Sequence, residues 1–182
     1  MKVRLGSVVA LIIVSALVLA ACGSAATGVA LTLEKLANAE YKTEWTPEGV
    51  VRLEDGEYRA PAAPGSASEI VIEMTEYVAI GELNDLATGN TEPGAGVILY
   101  SSGGGSGTFY ELHAMVVRDG EPYDAAWTQL GDRVQITSVS IENGKILVDM
   151  VTHGPEDPQC CPTQQVVQTY ALQGDELVQT SE

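Results

Sequence analysis

The chain of 182 residues carries 25 acidic side chains against 9 lysines and arginines, which gives a formal charge of −16 at pH 7. A nucleic-acid-binding surface needs basic residues that neutralise phosphates, so this composition excludes nucleic acid as a partner. The length suits one domain with a proper hydrophobic core. Because the acidic residues are scattered along the chain, we interpret the charge as a source of solubility.

The first 22 residues have the pattern of an export signal. Lys2 and Arg4 precede an uncharged apolar run over residues 5–21, close to the roughly 20 residues that span a membrane. The run ends in small residues, as a cleavable signal peptide does. The ending LAAC resembles the bacterial lipobox, in which the signal is cut before a cysteine that carries acyl chains. We therefore predict a lipoprotein signal peptide over 1–21 with Cys22 as the lipidated residue; an ordinary secretory signal or an uncleaved membrane helix are the alternatives.

A lipid on Cys22 would decide where the protein resides. Each buried CH₂ group of an acyl chain stabilises membrane attachment by about 0.8 kcal/mol. Without residues 1–21 the chain keeps 7 basic and 25 acidic residues, so electrostatic attachment to anionic lipid is not expected. We predict an extracytoplasmic protein that is lipid-anchored to a bacterial membrane, with residues 22–30 as a flexible tether of small residues. Residues 31–182 form the single predicted β-rich domain.

The domain begins with a predicted helix and a predicted hairpin. Thr32 suits an N-cap, and apolar residues follow at helical spacing, namely Leu33, Leu36, Ala37 and Tyr41. The segment 50–60 has Asp55-Gly56 between two strand-like runs, a favoured two-residue turn. Residues 60–68 form a proline-rich connector.

The rest of the chain alternates between strands and turns. Residues 69–80 alternate in hydrophobicity and predict a half-buried strand, whereas 81–96 is predicted as a loop. A strand over 97–102 and a glycine-rich turn over 103–107 precede residues 108–117, which are apolar on both faces and predict a central strand.

Turn signals also organise the C-terminal half. Asp119-Gly120 precedes a strand over 123–130 that buries Trp127, and Asn143-Gly144 is the strongest hairpin signal. A last hairpin crosses Gly174-Asp175. The predicted fold class is mostly β, an antiparallel sandwich or curled meander with one short N-terminal helix.

Several segments together resemble one protein group. The stretch from 79 to 117 includes GGGSGTFYELHAMVV, and it is followed by LGDRVQI at 130–136, NGKILVDMVTHGP at 143–155 and CCPTQQVVQTY at 160–170. Over residues 36–180 the chain resembles a family of uncharacterised bacterial lipoproteins. The resemblance implies an exported β domain, and the family has no activity that could be carried over.

The same resemblance suggests a degenerate calcium loop. The family's GDLNGDG segment is similar to the loop of FG-GAP-like modules, where carboxylates at alternate positions surround the ion. Here GELNDL at 81–86 breaks the Asp-x-Asp-Gly core, and a longer insert runs to Gly96. Oxygen ligands would have to come from Asn84, Asp85, Asn90 and Glu92. These residue types are also ordinary turn formers, so a calcium-binding module is one alternative.

Motifs for catalysis and cofactor binding are incomplete. Gly104-Gly105-Ser106-Gly107-Thr108 is close to a serine elbow but lacks the final glycine and lies between strands. No lysine follows the glycines, so no phosphate fingerprint exists and no cofactor is predicted. His113 lies on the apolar face of a predicted strand, where a lone histidine is usually a core residue. No spacing marks a catalytic pair among the acids Glu142, Asp149, Glu156 and Asp157.

Two adjacent cysteines remain after lipidation of Cys22. Neighbouring Cα atoms are about 3.8 Å apart, below the usual disulfide span of about 4.4–6.8 Å, so a Cys160–Cys161 bridge closes a strained ring. Because exported proteins keep disulfides and prolines flank the pair, we predict a vicinal disulfide that acts as a rigid kink. A redox-active pair, zinc bound with His153, intermolecular disulfides or buried thiols are the alternatives; no metal site is predicted.

These patterns favour a non-enzymatic binding or interaction module at the cell envelope, whose protein or small-molecule ligand is unknown. The main alternative is an exported enzyme or a redox or metal protein that uses the His153–Cys161 loop. The calcium-binding module is the third possibility.

Overall fold

The computed structural model describes residues 31–180, with one helix and eleven strands there. The predicted signal peptide over 1–21, the lipidated Cys22 and the tether over 22–30 lie outside the described residues. Within 31–180, no helix is long and apolar enough to cross a membrane. The elements are α1 Leu33–Ala37, β1 Glu40–Lys42, β2 Val50–Arg52, β3 Glu57–Pro61, β4 Glu69–Asp85, β5 Asn90–Ser102, β6 Phe109–Arg118, β7 Glu121–Asp132, β8 Gln135–Glu142, β9 Lys145–Thr152, β10 Gln164–Gln173 and β11 Glu176–Thr180.

Nine strands form one sheet in the order β7-β6-β5-β4-β10-β9-β8, with β11 paired to β10 and β3 paired to β4. The pairs are antiparallel except for a short parallel contact between Asp85 of β4 and Leu172 of β10. Contacts between β4 and β8 and between β7 and β11 show that the sheet curls on itself. The mostly β fold class is confirmed.

The sheet buries both faces, because alternate side chains of a strand point to opposite sides. On β5, Ile98 packs in an inner core, whereas Val97 and Leu99 pack in an outer core. The curled sheet encloses the inner core, and α1 with the β1–β2 pair covers the outer one. Burial of each Leu or Ile side chain contributes about 1.5–3 kcal/mol. The outer layer contributes Leu31, Leu36, Ala39, Tyr41, Val51 and Leu53 to its core.

The predicted N-terminal helix is confirmed, but it is short. Thr32 is the N-cap, and its hydroxyl oxygen accepts from the backbone N–H of Lys35 at 3.2 Å. Leu36 is fully buried, whereas Leu33 is 57% exposed. Tyr41 was expected on the helix and lies instead on β1, because the chain turns at the C-cap, Asn38.

The turn at Asp55-Gly56 is correct, but the hairpin predicted around it is wrong. Both residues have positive φ, 52° and 89°, as a tight two-residue turn requires. The strands beyond it then separate, since β2 pairs with β1 in the outer layer and β3 pairs with β4 in the main sheet. Turn chemistry is local, whereas the choice of strand partner depends on which core each strand covers.

The predicted loop over 81–96 is also wrong. β4 continues to Asp85 and β5 begins at Asn90, so only four residues form the turn. The polar residues of this segment pair across the two strands, Asn84 with Thr91 and Asp85 with Asn90. The predicted hairpins at Asn143-Gly144 and Gly174-Asp175 are confirmed.

Candidate functional site

Three segments meet at one end of the sheet, and we call them the loop cluster: residues 103–108, 131–134 and 153–163. Arg133 lies at their centre, with a positive φ of 54°. Its guanidinium donates to the carbonyl oxygens of Ser106 and Gln159 and pairs with the carboxylate of Asp132. Its backbone N–H donates to the carbonyl of Thr108 at 2.6 Å. Arg133 therefore fastens the glycine-rich loop and the cysteine loop to the same turn.

Asp157 closes the cysteine loop at its base. Its carboxylate accepts from the backbone N–H groups of Gly154 at 2.8 Å and Thr163 at 2.7 Å, and from the Thr163 hydroxyl. The Gly154 bond, followed by those of Thr163, lowers the pKa of Asp157. His153 Nε2 donates to the carbonyl of Asp132 at 3.2 Å. His153 and Asp157 are thus both engaged in holding the loop.

The adjacent sulfurs of Cys160 and Cys161 are joined as a disulfide, and both cysteines are exposed. The backbone N–H of Cys161 donates to the carbonyl of Pro158 at 2.9 Å, which makes a turn at the tip. The predicted pairing of these two cysteines is thus present, and its role as a rigid kink stays a prediction. Among residues 31–180, no three His, Cys, Asp or Glu side chains are grouped so as to hold a metal ion.

A cleft of about 740 Å³ adjoins the loop cluster, and we call it the tyrosine cleft. Gly104 of the glycine-rich loop is part of its wall. Three tyrosines line it, Tyr77 from β4, Tyr100 from β5 and Tyr110 from β6. The charged side chains of its lining are Arg59, Glu69, Glu73 and Glu76.

A β-bulge in β4 builds one wall of this cleft. The register shifts between Met74 and Val78, so three residues lie opposite the single residue Ile98. The Thr75 hydroxyl donates to the Ile98 carbonyl at 2.9 Å in place of a regular ladder bond. Bulges bend a strand and change the direction of its side chains. All three bulge residues, Thr75, Glu76 and Tyr77, line the cleft.

The tyrosine rings do not form one flat surface. The rings of Tyr100 and Tyr110 are cross-strand neighbours, with centroids 5.9 Å apart and planes at 69°. Tyr77 and Tyr110 also pack against the inner core. Burial, followed by the proximity of Tyr100 and Tyr77, raises the pKa of Tyr110. The three rings therefore belong to one local cluster at the rim of the core.

The charges of the cleft are unequal. Among residues 31–180, Arg59 is the one cation that lines the cleft, and it pairs with Glu57, with Glu69 at 3.6 Å and with Glu73 at 3.1 Å. Glu76 is exposed and has no ion pair within the described residues. Three carboxylates against one guanidinium make the cleft net negative.

A second polar cluster is completely enclosed. His113 Nδ1 lies 2.8 Å from Asp124 Oδ2, and its Nε2 lies 3.7 Å from Glu111 Oε2. The imidazole stacks on the ring of Trp127, with the two centroids 6.0 Å apart, and packs edge to face with the ring of Tyr41. All three charged groups are at most 4% exposed. His113 is a core residue, as the sequence indicated, but its two carboxylate partners come from cross-strand contacts that a single sequence does not show.

A larger groove of about 1150 Å³ lies between the outer layer and the start of β7. Its lysines are already engaged, since Lys35 pairs with Glu121 at 3.9 Å and Lys42 Nζ donates to the Ala125 carbonyl. Its third cation, Arg52, donates to the Asn38 carbonyl at 3.0 Å, and Tyr123 also lines the groove. The cationic groups of this groove are thus bound by the protein itself.

Two of the four residues proposed for calcium, Asn84 and Asp85, bond to the hairpin and its neighbouring turns. Asp85 accepts from the backbone N–H groups of Gly174 and Ala87 and from the Thr88 hydroxyl, and these bonds lower its pKa. The Asn84 side chain bonds to Thr91 and to the Asn143 carbonyl. Their polar atoms join β4 to β5 and to neighbouring turns.

Comparison with known proteins gives no relative for this arrangement: no family model, curated protein or solved structure matches the chain. The resemblance to bacterial lipoproteins over 36–180 stays a prediction. The segments that carry it, GGGSGTFY, LGDRVQI and CCPTQ, are the ones that meet in the loop cluster.

Proposed function

We propose that this protein is a lipid-anchored, extracytoplasmic binding module that holds a ligand in the tyrosine cleft. One observation supports it above the others: a β-bulge presents polar and aromatic side chains into a concave site beside a glycine-rich loop. Ligand sites are concave and combine aromatic walls with a few polar groups. The volume of about 740 Å³ falls within the range of about 300–1000 Å³ typical of such sites.

Binding is favoured over catalysis by what the reactive groups do. A nucleophile needs a base within hydrogen-bond distance, yet His153 bonds to a backbone carbonyl and Asp157 closes its own loop. His113 is enclosed with its carboxylates. The carboxylates and phenols of the cleft, in contrast, face a site of ligand size. The cysteine loop then has a structural role and not a redox one.

The anchor is tested in a bacterial host that expresses the full chain with an alkyne analogue of palmitate. The wild type should take up the label, remain with the membrane pellet and be degraded by protease added to spheroplasts. Cys22→Ala should lose the label, because its thioether cannot form, while a matched Ser24→Ala variant keeps it. Label that persists in Cys22→Ala, or protection of the wild type from external protease, contradicts the proposal.

Binding is tested by measuring the melting temperature of the purified protein with and without ligand. Four ligand classes are compared: organic cations, neutral sugars, carboxylates and short peptides. At least one class should raise the melting temperature, as a ligand that binds only the folded state must. Tyr100→Ala should remove that shift, and Tyr123→Ala in the other groove should keep it. A shift that depends on Tyr123 and not on Tyr100 would place the site elsewhere.

A further inference from the structure

The charge and the ring arrangement of the tyrosine cleft point to a ligand class. We propose that the cleft binds a small organic cation, with an alkylated ammonium group held between the tyrosine rings and Glu76. This inference rests on the proposed binding function and specifies its ligand. It follows from the charge balance of the cleft, the geometry of its rings and the β-bulge in β4.

The charge balance favours a cation. Three carboxylates line the cleft, those of Glu69, Glu73 and Glu76, together with the guanidinium of Arg59. This guanidinium already pairs with Glu69 and Glu73, and also with Glu57. The chain as a whole carries −16. A field of one sign raises the local concentration of ligands of the opposite sign. An anionic ligand would meet repulsion both in the cleft and from the rest of the surface.

The ring geometry favours a compact, rounded group. The electron-rich face of a tyrosine attracts a cation that lies within about 6 Å of its centroid. Tyr100 and Tyr110 pack edge to face, with planes at 69° and centroids 5.9 Å apart, so the two rings present surfaces in different directions. Tyr77 adds a third ring from β4. A rounded alkylated ammonium can contact rings that face in different directions, and this suits the arrangement.

The bulge supplies the counter-ion. Glu76 is the middle of the three residues that lie opposite Ile98, and it is exposed without an ion pair among residues 31–180. Because Tyr77 follows it directly, the carboxylate and a ring reach the cleft from the same irregular turn of backbone. Glu69 and Glu73 are occupied by Arg59. The charge of Glu76 is therefore the one that a bound cation would neutralise.

The decisive experiment compares choline with 3,3-dimethyl-1-butanol, which has the same shape and no charge. Each compound is titrated into the purified protein. Binding is followed by the changes in the NMR chemical shifts of the tyrosine rings. Choline should bind saturably at millimolar concentration and about tenfold more tightly than the neutral analogue, since a cation–π contact that excludes water contributes on that scale. Equal binding of both compounds, or no saturable choline binding, overturns the proposal.

Variants connect the binding to the cleft. Tyr100→Leu should weaken choline about tenfold and Tyr100→Phe by at most about twofold, because the ring and not the hydroxyl attracts the cation. Glu76→Gln should weaken choline binding severalfold. Added salt should weaken choline binding more in the wild type than in this variant. Tyr123→Leu is the matched control and should bind as the wild type does. Unchanged binding in both Tyr100→Leu and Glu76→Gln overturns the proposal.

The outcomes separate the ligand class from the proposed function. If a neutral ligand stabilises the wild type and loses its effect in Tyr100→Ala, the binding module stands and only the cation is wrong. If no ligand effect depends on Tyr100, both proposals fail. Should Tyr100→Leu fail to fold, the comparison of choline with its neutral analogue in the wild type still decides the question.

Discussion

His113 is a buried imidazole that lies between two carboxylates. Burial by itself lowers the pKa of an imidazole, but the charge of Asp124, the hydrogen bond of Nδ1 to Asp124 and the nearby carboxylate of Glu111 outweigh it and raise the pKa to about 9. An unfolded histidine titrates near 6.5. Between these two values the folded protein keeps a proton that the unfolded chain has released. The cluster therefore stabilises the fold in a pH-dependent way.

The free energy of unfolding should decrease as pH rises from about 6.5 through about 9, by up to about 3 kcal/mol. The contribution of His113 is complete below 6.5, where both states are protonated, and is lost once the folded state also deprotonates. Urea unfolding between these limits measures it. Burial raises the pKa of Tyr41 in the folded protein. In the unfolded chain this phenol ionises only above the pH range of the experiment, so it does not contribute to the slope.

The histidines provide their own control. His113→Gln should abolish this slope, even though the variant is less stable at every pH because Asp124 and Glu111 lose their cation. His153→Gln should retain it, since that side chain lies in the loop cluster, away from both carboxylates. If the free energy of unfolding depends on pH in the same way in His113→Gln and in the wild type, another group causes the slope.

At the scale of elements, the turn between β7 and β8 supplies the long-range bonds of the loop cluster. Arg133 joins the carbonyl of Ser106 in the glycine-rich loop to that of Gln159 in the cysteine loop. The neighbouring Asp132 accepts from the Thr108 N–H and from His153. Within the described part of the chain, the Arg133 guanidinium is the one group that bonds to both loops through their backbone carbonyls.

Arg133→Ala should release the two loops while leaving the sheet intact, because it removes the guanidinium and keeps the backbone bond to Thr108. Amide hydrogens over 103–107 and 159–161 should exchange about tenfold faster, equivalent to a loss of about 1.4 kcal/mol in the free energy of local opening. Mass spectrometry of the exchanged peptides measures it. Arg118→Ala, which removes a cation from the Tyr123 ring in another part of the molecule, serves as the control. Identical exchange in both variants would contradict this role.

At the scale of the whole molecule, local signals predicted the β architecture and several of its turns. Asn143-Gly144 and Asp119-Gly120 adopt the positive φ angles that their chemistry favours. Which strands pair with each other could not be predicted from these local signals, as the separation of β2 from β3 shows. The tyrosine cleft was missed because residues from β3 to β6 come together only through pairing. A bulge also leaves no mark in a hydrophobic pattern that resumes in phase at Val78.

The place of the predicted attachment has a consequence for where the cleft can reach. Thr32 precedes α1 in the outer layer, whereas Tyr77 and Tyr110 pack on the inner side of the main sheet. The ten residue steps from the proposed lipid on Cys22 to Thr32 reach at most about 35 Å. A flexible tether of that length lets the domain rotate but limits its distance from the bilayer. The tyrosine cleft would then meet its ligands in the layer of solution next to the membrane surface.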